Sequence, residues 1–69
     1  MNGKKKEVRL TNEHGEVLTL ILDNDNNIWF RHEDINTEFE DIKAITKYVF
    51  NDMEKTVIKQ FVVECKTYV

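Results

Sequence analysis

Residues 16–32 read Glu16-Val17-Leu18-Thr19-Leu20-Ile21-Leu22-Asp23-Asn24-Asp25-Asn26-Asn27-Ile28-Trp29-Phe30-Arg31-His32. Two apolar runs flank five consecutive Asp and Asn residues. Aromatic and β-branched side chains favour strand, and Asp and Asn tolerate the left-handed backbone of a tight turn. The stretch therefore predicts strands over 16–23 and 28–32. Upstream, Val8 and Leu10 alternate with Arg9 and Thr11, and the polar tetrad Asn12-Glu13-His14-Gly15 follows. Period two on both sides of a short glycine-containing loop is a β-hairpin signature. A first strand over 7–12 completes a three-stranded antiparallel meander.

The period changes at Thr37. Thr37 with Glu40 three residues later has the capping-box pattern. Phe39, Ile42, Ile45, Val49 and Met53 recur at three- or four-residue spacing, as one face of a helix would. Glu38, Glu40 and Asp41 fall in the first turn, where the helix dipole favours anions. These features predict a helix over 38–51. Farther on, Val57, Phe61, Cys65 and Val69 fall at four-residue steps, with Ile58 and Val62 beside them. That stripe points to a second helix, with Asn51-Asp52 as a loop or its N-cap. The strand formers in Phe61-Val62-Val63 and Thr67-Tyr68-Val69 leave a fourth strand as the alternative. The fold class is α+β: a three-stranded meander, then a helix and a C-terminal segment.

The chain has 69 residues, room for one small domain. Residues 1–6, with Lys4-Lys5-Lys6, are expected to be a flexible basic arm and 7–69 the domain. No apolar run approaches the roughly 20 residues of a membrane span, and no apolar region follows the basic N-terminus as in a secretory signal. A single cysteine, Cys65, permits no internal disulfide, which fits a cytoplasmic protein. Eight lysines against two arginines, with seven asparagines, is the bias that AT-rich bacterial or phage codons produce.

Strand parity divides the sheet. One face carries Val8, Leu10, Leu18, Leu20, Leu22, Ile28 and Phe30 and is expected beneath the helix. The other carries Arg9, Val17, Thr19, Ile21, Trp29 and Arg31, half of it apolar where an uncovered face is normally polar. Two readings fit. The C-terminal segment or long side chains shield this face, or it is an interaction surface, since Trp and Arg are over-represented at binding hot spots.

Little in the sequence points to catalysis or a metal. Asp23, Asp25, Asn27 and Asp34 echo a calcium loop, but Ile28 stands where such a loop needs glycine. His14, His32 and Cys65 lack metal-ligand spacing. The chain has no serine and no glycine-rich phosphate loop, and Cys65 on an apolar stripe is inert as a nucleophile. The expectation is a non-enzymatic protein with no metal and no cofactor. The net charge of −3 argues against a duplex-binding footprint, with Lys4, Lys5 and Lys6 the candidate phosphate contacts.

Trp29-Phe30, Asp34-Ile35 and Lys43-Ala44-Ile45 together resemble the Bro-N family, N-terminal domains of phage antirepressors and related viral proteins. The resemblance spans about residues 16–49, lacks the family's glycine-containing turn between helices, and implies DNA binding in a phage setting. The residues themselves point first to a small accessory or inhibitor protein of a phage or mobile element that binds a host protein. In that reading Trp29, Arg31 and Arg9 are the anchors, and Glu38, Glu40 and Asp41 engage a basic partner. Pairing of two copies through the Trp29 face would give a homodimer. A DNA-binding regulatory domain of Bro-N type is the alternative.

Overall fold

The computed structural model describes residues 3–68. Its elements are strands β1 (Lys4–Thr11), β2 (Val17–Asp23), β3 (Ile28–His32) and β4 (Asn36–Asp41), a 3-10 segment Ile42–Lys47, helix α1 (Asp52–Cys65) and a closing 3-10 turn, Lys66–Tyr68. The strands form one antiparallel sheet in the order β1-β2-β3-β4, so every strand pairs with its sequence neighbours. The α+β class and the meander stand as read from the sequence.

Each connection has a local cause. Gly15 takes a φ of +79° in the first hairpin, and Asn12 Oδ1 accepts the His14 and Glu16 amides. In the second, Asp23 Oδ1 accepts the Asp25 and Asn27 amides at 2.8 and 2.9 Å, and Asn26 adopts φ +67°. Asn36 does similar work between β3 and β4. Its Oδ1 accepts the His32 amide at 2.7 Å, and its Nδ2 reaches the Phe30 carbonyl at 3.4 Å. The side chain thus spans a bulge in which residues 37–39 of β4 oppose Arg31 alone.

Two expectations are corrected. Residues 38–51 do not form a helix: β4 runs to Asp41, and a 3-10 segment follows. Ile42, Ile45 and Tyr48 all pack against the core, each three residues from the last. That is the repeat of a 3-10 helix, which has three residues per turn, and the sequence pattern did not separate it from an α-helical stripe. Phe39 belongs to the other side of the sheet, while Val49 and Met53, the last members of the supposed stripe, are 88% and 60% exposed. Thr37–Glu40 forms no capping box. The capping box is Asn51–Glu54: Asn51 Oδ1 accepts the Glu54 amide at 2.7 Å, and Glu54 Oε1 accepts the Asn51 amide at 3.1 Å. The second helix therefore exists and starts from Asn51, and the fourth strand lies before it rather than at the C-terminus.

The second correction concerns the arm. Strand β1 begins at Lys4, so the three lysines are its first three residues, with Lys5 bulged out of register. Met1 and Asn2 lie outside the described residues, as does Val69 of the helical stripe.

The core is the parity face read from the sequence. Leu18, Leu20, Leu22 and Phe30 from the sheet meet Phe50 and α1 residues Ile58, Phe61 and Cys65. The rings of Tyr48 and Phe50 stand edge-on to Phe30, with centroids 5.9 and 6.3 Å away. Among the described residues no helix is long and apolar enough to cross a membrane.

Candidate functional site

α1 and the 3-10 segment both pack on the leucine face. Among the described residues, no element lies over the opposite face, so the C-terminal segment does not shield it. Strand register arranges that face in rows. Glu7, Ile21, Trp29 and Asp41 stand opposite one another in the first; Arg9, Thr19 and Arg31 form the second. Phe39, from the bulged part of β4, ends the second row, and the Arg31 guanidinium sits 4.7 Å from its ring centroid. Ile21 and Thr19, in the middle of the two rows, are only 5% and 2% exposed.

Trp29 is half-buried and held in place. Its indole Nε1 donates to Asp23 Oδ2 at 2.8 Å, and the other oxygen of that carboxylate organises the β2–β3 turn. The bond from Trp29, followed by the turn amides, holds the Asp23 carboxyl below its ordinary pKa. At the β1 edge, Glu7 accepts from Lys4 and from Arg9 Nε, the latter at 2.8 Å. These two bonds, that from Lys4 first, lower the Glu7 pKa as well. The Arg9 side chain is 67% exposed. The result is a preorganised Trp set among two arginines and three carboxylates, those of Asp23, Glu7 and Asp41.

The expected site residues divide accordingly. Trp29, Arg9, Arg31 and Asp41 share the open face. Asp41 also caps the 3-10 segment, its Oδ1 accepting the Lys43 amide at 2.9 Å. Glu38 lies exposed in the β4 bulge. Glu40 turns to the core side, where Tyr48 Oη donates to its Oε1, a bond that with burial raises the tyrosine pKa. The three acids thus form no single patch. Of the lysines, Lys4 is paired with Glu7, Lys5 donates to Asn26 Oδ1, and Lys6 donates to Glu64 Oε2 at 2.6 Å above the Phe61 ring. Phe39 and the Asp23 clamp escaped the sequence reading, which took Asp23 only as part of the polar turn.

The other notable polar cluster lies on the core side. Glu54 and His32 are 3% and 2% exposed, and Asn12 Nδ2 reaches Glu54 Oε2 at 3.4 Å. Among the described residues, no three His, Cys, Asp or Glu side chains converge to hold a metal ion. Cys65 is buried, and that burial pushes its thiol pKa up, the opposite of what a nucleophile needs.

Comparison with protein-family models, with curated proteins and with solved structures finds no match for this chain. The Bro-N resemblance stays where the sequence left it.

Proposed function

We propose that this chain is a small non-enzymatic binding module, an accessory or inhibitor protein of a phage or mobile element that engages a host protein through its open sheet face. Trp29 is the apolar anchor, and Arg9 and Arg31 are the polar anchors beside it. The observation that carries this reading is the Trp29–Asp23 hydrogen bond, which fixes a large aromatic ring on a face that no other described element covers. A ring fixed in advance loses little conformational freedom on binding, and Trp and Arg dominate measured interface energies. Asp41 and Glu7 border the anchors and select partner groups of opposite charge.

The test compares wild type with Trp29→Ala in capture of partners from the native host, with the fold followed by circular dichroism. The reading expects capture to be lost while the fold persists. Equal capture by both proteins overturns it, and so does global unfolding of the variant, which would make Trp29 a core residue. Duplex DNA titrated across salt separates the Bro-N alternative, because phosphate contacts give a steep salt dependence.

A further inference from the structure

The chain exposes two large apolar side chains around the start of α1: Val49 at 88% and Met53 at 60%. They border two adjoining depressions, of about 220 Å³ and 150 Å³, which share Asn12, Glu13 and Asn51 in their walls. Buried polar groups floor the larger. His32 and Glu54 are bonded to each other there, and Glu54 is also bonded to Asn51. Glu13, Glu16, Asp34 and Asp52 supply the charge of these walls, and neither depression is lined by Lys or Arg.

Exposed apolar side chains beside a preformed concavity mark a contact surface more often than scattered ones do. Val49 lies two residues past the 3-10 segment and Met53 in the first turn of α1, and neither joins the core. Methionine also adapts its shape to varied apolar partners. The acidic walls choose the sign of what docks: a cationic side chain meets carboxylates on several sides, while an anionic one meets repulsion.

We propose that this end of the molecule is a second docking surface, for a basic segment of a partner protein that carries lysine or arginine beside an apolar side chain. The apolar side chain packs on Val49 and Met53, and the cation enters the depression between Glu13 and Asp34. The surface is built from the β1–β2 turn, the end of β3 and the start of α1, and its walls include none of Trp29, Arg9 and Arg31.

The test uses the full chain labelled with nitrogen-15. It is titrated with an acetylated, amidated Lys-Leu-Lys-Leu-Lys peptide and, separately, with the Glu-Leu-Glu-Leu-Glu counterpart. The proposal expects amide shifts from the basic peptide confined to residues 12–16, 34–35 and 49–54. They should fall as salt is raised and be absent with the acidic peptide. Met53→Ser removes an exposed side chain, so the fold should survive, and the shifts at a fixed peptide concentration should drop about fivefold or more. Trp29→Ala should leave them unchanged, which separates this surface from the other. No shifts, shifts centred on the Trp29 face, or shifts indifferent to Met53→Ser would each overturn the proposal.

Discussion

The imidazole Nε2 of His32 lies 2.8 Å from Oε2 of Glu54, joining the end of β3 to the first turn of α1 inside the protein. The Asp34 amide donates to Nδ1 at 3.1 Å, which assigns the lone pair to Nδ1 and the proton to Nε2. The ring therefore donates to a carboxylate that also completes the helix cap.

Glu54→Ala should accordingly destabilise by about 2–3 kcal/mol, because it removes half of the capping box and leaves a buried N–H without an acceptor. Glu54→Gln keeps an acceptor oxygen and should lose less. Urea denaturation of the three proteins, compared at equal slopes, checks the order. Equal stability of wild type and Glu54→Ala would mean that the pair is not buried in solution.

Acid should release the tryptophan. The native pKa of Asp23 is lowered, so its contribution to stability is complete above the ordinary Asp value and is lost as pH falls through the lowered native one. Trp29 is the sole tryptophan, so its fluorescence reports that carboxylate directly. Asp23→Asn should flatten the acid limb of the stability profile and shift the emission already at neutral pH.

At alkaline pH the sign reverses for Tyr48. Its native pKa is raised by the hydrogen bond to Glu40, then by burial and by the charge of that carboxylate. Its contribution is present below the ordinary tyrosine value and fades as pH rises through the raised one. Absorbance at the phenolate band, with Tyr48→Phe as the difference reference, should show it ionising later than free tyrosine.

Phe30 stands at the centre of the aromatic cluster and is fully buried. Phe30→Ala should cost about 3–5 kcal/mol, which is about what a domain of this size possesses. The variant should be largely unfolded at room temperature by circular dichroism. Cys65 supplies an independent readout: its thiol should react slowly with a disulfide reagent in wild type and rapidly in Phe30→Ala.

The strands that were legible owe it to alternation. Val17 to Leu22 and Ile28 to His32 are apolar enough to declare themselves, and parity alone placed Trp29, Arg9 and Arg31 on one face. β4 was not legible because Asn36-Thr37-Glu38-Phe39-Glu40-Asp41 has a single apolar residue and three acids, a composition that fits a helix start better than a strand. It becomes a strand because Asn36 is tied to the β3 backbone and because Arg31 covers Phe39, side-chain contacts across the β3–β4 hairpin that apolar spacing does not carry. The same misreading hid Phe39 from the candidate site and put Glu40 outside with Glu38.

The sheet's neighbour-only pairing also has a consequence for how the chain is made. β1, β2 and β3 become available for pairing in the order of synthesis, each closing only a short loop, which favours rapid hairpin formation. The cover of Ile58, Phe61 and Cys65 is translated only afterwards. At about 5–20 residues per second, Cys65 is added a few seconds after Phe30, so the strands carrying Leu18, Leu20, Leu22 and Phe30 are made before the helix that covers them.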